Sequence, residues 1–358
     1  MKILYLHVTQ NLGGVEKRFF NYYKYIMQQN DNQYTLLVSR TFLYNIKSDI
    51  RASEGNKIIS YGCRWNKTGK FTRYIDYVLL TLNLLRLSLN NYDIIHYPTS
   101  GALLFRYFLH TKRRVMSAVT SSKEGLYNQV KSRIFASSMK RGFYVDCLDE
   151  NIGQTIKSFF PNNTNQVFVS PCSFVDYKNT DCDYKDKEHA ICFVGRLIEY
   201  KGADMLLNSL KEIVEKTNFK IYILGNGDYK WRIEEFVKMH KFENRIVVTY
   251  TPSPIEYMKK TKIFLSLQKD ENYPSQSLIE AMATKNVIIA TNVGLTYKIV
   301  HDRWGILIEE QKDLVDALIK LENIDMSKMG EEAMNFVKEN HNVENFHHYL
   351  MQICKQLQ

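Results

Sequence analysis

The sequence predicts an α/β protein built on open parallel sheets, and three observations carry that prediction. Short apolar runs of strand length alternate along the chain with longer segments whose apolar residues recur at helical spacing. Polar, glycine-bearing loops follow several of the runs, as in TQNLGG (9–14), GRLIEYKG (195–202) and GNGD (225–228). The length of 358 residues suits two α/β domains of ordinary size, and 45% hydrophobic with 24% charged residues describes a globular chain.

The alternation begins at once. KILYLHV (2–8) is a strand, and VEKRFFNYYKYIMQQ (15–29) is a helix with Phe19, Tyr22, Tyr23 and Ile26 on one face. Gly13 and Gly14 lie between them, serving either a tight turn or a backbone that approaches a ligand. Residues 34–38 and 57–59 read as strands, 72–89 as a helix, and 92–97 (YDIIHY) as a buried strand carrying His96 near its carboxyl end. Residues 102–109 are expected to be helical, 114–119 a strand, 126–139 a single basic amphipathic helix, and 142–148 and 166–170 the last strands of this half. The charged stretch from 175 to 188 has little hydrophobic periodicity and reads as a linker. Its Asp181–Asp183 pair, a D-x-D form that some sugar-nucleotide enzymes use for a divalent metal, reads as part of that solvated linker.

A second series then starts. Strands are expected at 190–194, 220–224, 245–249, 262–268, 286–291 and near Gly305. Helices are expected at 203–214, from the GNGD turn through Val237, and at 255–260, with a helical, aromatic-rich segment at 325–358.

Composition narrows the functional classes. Forty-eight basic against 38 acidic residues leave a net charge of +10, and between Arg106 and Arg141 the only acid is Glu124, which points to an anionic surface or acceptor. The six cysteines form no C-x-x-C pair, which fits reduced thiols. The short first apolar run reads as a strand and not a signal peptide. No stretch reaches the roughly 20 apolar residues of a membrane span; residues 77–89 come nearest but include Asn83 and Arg86.

The densest chemistry lies at 270–283, DENYPSQSLIEAMA, where a polar loop feeds the start of a helix. In a parallel sheet the loops 195–202, 225–228 and 269–277 emerge at one edge. Arg196 supplies a two-pronged donor and Lys201 a point charge, and both approach the helix start at Ser275, Gln276, Ser277 and Leu278. Together they can neutralise a diphosphate without metal, and Glu280 can accept both hydroxyls of a ribose.

These three loops, in this order and spacing, resemble family 4 of the retaining GT-B glycosyltransferases, the group 1 glycosyl transferases, and the opening Gly-Gly loop is similar to theirs. The resemblance implies two Rossmann-like domains facing a cleft. These would be an acceptor domain at 1–175, a linker at 176–188, a nucleotide-sugar domain at 189–335, and a C-terminal helix at 336–358 that packs back on the first domain. It implies nucleotide-sugar binding by Gly13, Gly14, Gly195, Arg196, Lys201, Gly225, Asn226, Gly227, Ser275, Gln276, Ser277, Leu278 and Glu280. Catalytic roles fall to Arg196, Lys201 and either Glu271 or Asn272, because eight residues separate Glu271 from Glu280 where the family has seven. The family's first-domain histidine has no counterpart after the strand ending at Val119, so His96, Ser121 and Lys123 are the acceptor-side candidates.

The expected activity is a metal-independent, retaining hexosyltransferase that uses a UDP-sugar and no cofactor. Its acceptor would be a glycan or polyprenyl-diphosphate-linked glycan in surface polysaccharide synthesis, with a cytoplasmic location, peripheral on the inner face of the membrane. A nucleotide-sugar epimerase of the same architecture is the alternative enzyme. A nucleic-acid-binding protein would need exposed aromatics interleaved with basic residues, whereas Phe19, Tyr22 and Tyr23 fall on a predicted core face.

Overall fold

The computed structural model describes residues 1–9, 14–45, 50–63, 70–109, 111, 113–118, 123–170, 172–177, 180–271 and 273–356; for Gly14, Lys70, Arg73, Ser100, Lys123 and Glu124 only the backbone is described. The chain forms two compact units, Met1–Ser173 with Val343–Gln358, and Phe174–Asn342.

The first unit is a seven-stranded sheet of β1 (Lys2–His7), β2 (Gln33–Ser39), β3 (Lys57–Tyr61), β4 (Ile94–Tyr97), β5 (Arg114–Ala118), β6 (Tyr144–Cys147) and β7 (Val167–Val169), in the order β3-β2-β1-β4-β5-β6-β7. Every pairing is parallel. Parallel strands need crossovers that cover both faces, which is why these strands are near-continuous apolar runs. The covering helices are α1 (Gly14–Ile26), α2 (Arg40–Asn45), α3 (Lys70–Ser88), α4 (Lys123–Lys131), α5 (Arg133–Lys140) and α6 (Glu150–Phe159). Two expectations change here. The single helix at 126–139 is two helices, because Ser132 takes an extended backbone and its hydroxyl caps the Phe135 amide at 3.2 Å. The helix expected at 102–109 is a 3₁₀ segment, Ser100–Phe105.

The second unit holds a six-stranded sheet of β8 (Glu188–Val194), β9 (Lys220–Leu224), β10 (Ile246–Thr249), β11 (Thr261–Ser266), β12 (Val287–Thr291) and β13 (Gly305–Ile308), in the order β10-β9-β8-β11-β12-β13. It too is parallel throughout. Its helices are α7 (Ala203–Lys216), α8 (Lys230–Met239), α9 (Ile255–Lys260), α10 (Gln276–Ala283), α11 (Gln311–Glu322) and α12 (Ser327–Asn340). Residues 174–177 and 180–187 pack on this unit despite their polarity. The Tyr177 hydroxyl donates to the carbonyls of Val337 and His341, and buried Lys187 donates to those of Met258 and Thr261. Burial moves the Lys187 ammonium down to about 8.

The last helix, α13 (Val343–Gln356), belongs to the first unit. Its Tyr349 hydroxyl donates to Asp146 Oδ1 at 2.9 Å. His347 bridges the Tyr22 hydroxyl and Asp31 at 3.0 and 3.2 Å.

In each sheet the strand order reverses once, between β1 and β4 and between β8 and β11. Ligands of open α/β sheets gather outside the carboxyl ends of the strands at such switch points. The loops at 195–202 and 267–275 leave the second of them.

Candidate nucleotide-sugar site

Two glycines decide how closely the loops of the second unit can approach. A Cβ on Gly225 would stand 1.8 Å from the Gly195 carbonyl oxygen, so this contact admits only glycine. Gly202 has φ +79° and would press a Cβ 1.9 Å from the Leu267 carbonyl, so it both ends the short 3₁₀ turn at Glu199–Lys201 and seats α7 against β11. Hydrogen bonds complete the weave. Leu197 donates its amide to the Asn226 carbonyl, and Tyr229 donates to that of Leu197, each at 2.9 Å. Gly195 itself faces open space.

Lys201 reaches across this weave. Its Nζ donates to Gln268 Oε1 at 2.7 Å, the Gln268 amide nitrogen donates to Ser275 Oγ at 3.4 Å, and Ser275 Oγ lies 3.3 Å from Ser277 Oγ. Burial, reinforced by the charge of exposed Arg196, lowers the Lys201 ammonium to about 8. A cavity of about 70 Å³ is lined by Gly195, Lys201, Gln268 and Ser277 with the strand ends Val194 and Ser266. Ser275 is the N-cap of α10, and its side chain makes no cap bond to the helix. The amides of the first turn at Gln276, Ser277 and Leu278 therefore carry the partial positive charge of the helix end toward this cluster. A lysine, an arginine and a helix start make a site for an anionic oxygen group.

Glu280 lies one turn into α10. Its Oε1 accepts from Gln276 Nε2 at 3.2 Å, and Gln276 also donates to the Phe174 carbonyl at 3.2 Å. Glu271 has a different setting. Its Oε1 accepts the Tyr273 amide at 3.1 Å, its Oε2 accepts the Leu295 amide at 2.9 Å, and Gly294 lies so close that a Cβ there would meet Oε2 at 1.8 Å. The carboxylate thus fastens the loop after β11 to the loop after β12. A second tie is ionic, with Lys269 Nζ donating to Glu199 at 3.0 Å and Asp204 at 2.6 Å.

The second unit therefore brings together Gly195, Lys201, Gly225, Asn226, Gly227, Ser275 and Ser277, with Arg196 beside Lys201 and Glu280 on the helix that carries Ser277. Gly13, Asn272 and Ser121 lie outside the described residues, Gly14 is the first residue of α1, and Lys123 opens α4. His96 requires a correction as an acceptor-side residue. It is 1% exposed, its ring packs against Tyr5 and Phe19, and its Nε2 lies 2.9 Å from Ser117 Oγ, which donates to Asp146. An imidazole enclosed by these groups is part of the core and out of reach of an acceptor. Gln268 went unrecognised in the sequence. Its only signal is an amide at the end of the apolar run KIFLSLQ.

Two parallel Rossmann-like units of this kind make the GT-B fold. A crystal structure of Anabaena Alr3699/HepE in complex with UDP superposes with a TM-score of 0.73 at 13% identity, covering 99% of this chain and 100% of that one. Residues 182–343 match the family described as Glycosyl transferases group 1. An uncharacterized glycosyltransferase of Methanocaldococcus jannaschii, MJ1059, is 23% identical over 267 residues, 62% of this chain and 66% of the relative. The capsular polysaccharide biosynthesis glycosyltransferase CapH of Staphylococcus aureus is 23% identical over 317 residues, 82% of each chain. The chain thus spans just under two thirds of the archaeal relative's length.

Proposed function

We propose that this protein transfers a sugar from a UDP-sugar to a glycan or lipid-linked acceptor in surface polysaccharide synthesis, with retention of anomeric configuration and without a metal ion. The observation that carries the reading is the Lys201–Gln268–Ser275–Ser277 chain set against the start of α10, with Arg196 beside it. That cluster supplies fixed positive charge where a diphosphate would develop negative charge as it leaves. Glu280 serves the ribose, and Glu271 holds the loop on the sugar side. The similarity to CapH supports a polysaccharide acceptor, and the UDP in the HepE structure supports a uridine donor.

In the reaction, the acceptor hydroxyl oxygen bonds to the anomeric carbon on the face from which the diphosphate departs. The bond to the β-phosphate oxygen breaks, and that oxygen takes the hydroxyl proton. Lys201 and Arg196 stabilise the departing diphosphate throughout. Metal independence is tested by incubating radiolabelled UDP-sugars with a glycan acceptor panel with and without EDTA, and stereochemistry by reading the product's anomeric proton coupling. Transfer that survives chelation and keeps the donor configuration supports the proposal. Inversion, a strict metal requirement, or UDP release with no acceptor-bound sugar would refute it.

A further inference from the structure

Helix α3 is apolar on two opposite faces. Its inner face, Leu80, Leu84 and Leu87, is at most 3% exposed, and its one acid, Asp76, is buried and accepts the Cys63 amide. Its outer face runs Phe71, Val78, Leu82 and Leu85, spaced by seven, four and three residues, which places these four on one line of the helix, and Leu89 follows in the turn just past its end. These side chains are 75, 44, 58, 51 and 86% exposed. A helix apolar all round is ordinarily buried, so the outer line of α3 calls for an occupant.

The surroundings say which one. Tyr74 and Tyr77 flank the line, both more than half exposed, and the Tyr77 ring lies 6.2 Å from that of Phe105 in the neighbouring 3₁₀ segment. That segment exposes Leu104, and just beyond it the ring of exposed Tyr107 lies 4.2 Å from the guanidinium of buried Arg106 and 4.9 Å from that of exposed Arg141. Arg86 is exposed at the edge of the line. An apolar ridge one helix wide, bordered by tyrosines and arginines, is the composition of a helix lying in a membrane interface. The aliphatic side chains reach the acyl boundary, the phenols stay at headgroup level and exposed Arg86 and Arg141 meet lipid phosphates. A second copy of the chain would set the same arginines against each other. No described helix is long and apolar enough to cross a membrane, and one face of α3 is already committed to the core.

We propose that the outer face of α3, together with Leu104 and Tyr107, docks the first unit on an anionic lipid bilayer, with the helix in the plane of the interface. This deepens the reading of a lipid-linked acceptor, yet it rests on residues of the first unit alone.

The test is co-sedimentation of the full chain with phosphatidylglycerol–phosphatidylcholine vesicles. The wild type should pellet with them, and Leu82→Glu/Leu85→Glu should lower the partition coefficient at least about tenfold while leaving the thermal midpoint and the UDP-induced shift unchanged. Arg86→Glu/Arg141→Glu should weaken binding in low salt. The proposal is overturned if the leucine variant pellets like the wild type. It is equally overturned if the wild type ignores the vesicles, including the case where light scattering finds a dimer that the leucine variant splits. Absence of a UDP shift in the wild type would instead count against the donor site and leave the vesicle result standing.

Discussion

Lys201 Nζ donates to Gln268 Oε1 at 2.7 Å, so the half-buried ammonium is held by a neutral amide and keeps its charge for an anion. A carboxylate at the same place would pair with the lysine and cancel that charge. Gln268→Glu, nearly the same size, is therefore expected to weaken UDP binding at least about tenfold, or about 1.4 kcal/mol. Calorimetric titration of the purified variant checks this. Affinity equal to the wild type would mean that Lys201 does not meet the diphosphate.

The same lysine predicts a pH dependence. Its ammonium sits at about 8 in the free protein, and a bound diphosphate favours the charged form and raises that value. Below pH 8 the charge is present in both states and affinity is flat. Above it, binding must take up a proton, so the affinity for UDP-glucose should fall by up to about tenfold per pH unit. UDP-glucose is the suitable probe, its phosphates being diesters. Lys201→Met should abolish the dependence.

The two carboxylates should separate by readout. Glu280→Ala is expected to weaken UDP binding more than it lowers the thermal midpoint, since the side chain's contact with Gln276 stays within one helix. Glu271→Gln leaves one of the Tyr273 and Leu295 amides without its carboxylate partner, at a cost of about 1–3 kcal/mol. It should lower both the thermal midpoint and turnover while UDP affinity holds. A thermally silent Glu271→Gln would count against the loop tie.

Acid should loosen the first unit in a defined window. His7 and His96 are buried neutral, each lowered to about 3 by desolvation, with the charge of Arg18 adding to the effect at His96. Between about pH 6.5 and 3 the unfolded chain binds protons that these histidines cannot take up when folded. Stability is therefore intact above 6.5 and lost as pH falls, by up to about 3–5 kcal/mol for each group. Denaturant titrations across this range should show a shallower decline for His96→Gln, which retains an amide near Ser117 but does not titrate there.

Both sheets were legible in the sequence because their strands are buried on two faces and read as apolar runs, from KILYLHV to NVIIAT. The close approach of the second unit's glycine loops, with Lys201 near Ser275 and Ser277, was legible because short loops at one sheet edge can converge in only a few ways. What escaped depends on partners distant in the chain. Gln268 gains its role from Lys201, 67 residues earlier. His96 sits where ligands gather, and only the packing of Tyr5, Phe19 and Ser117 around it reveals a core residue. The break at Ser132 turns on one hydroxyl, and α11 was passed over although Leu314, Val315, Leu318 and Leu321 recur at helical spacing behind the Glu310–Asp313 cap.

The proposed donor site holds a uridine diphosphate sugar through Lys201, Arg196 and Glu280 of the second unit. The most direct measurement is calorimetric titration of the full chain with UDP, GDP and ADP, repeated on Arg196→Ala/Lys201→Ala. Saturable binding of UDP in preference to the other two is expected, weakened by at least about a hundredfold in the double variant through the loss of two charge-assisted contacts. Binding of none of the three, or UDP binding unchanged in the double variant, would contradict it.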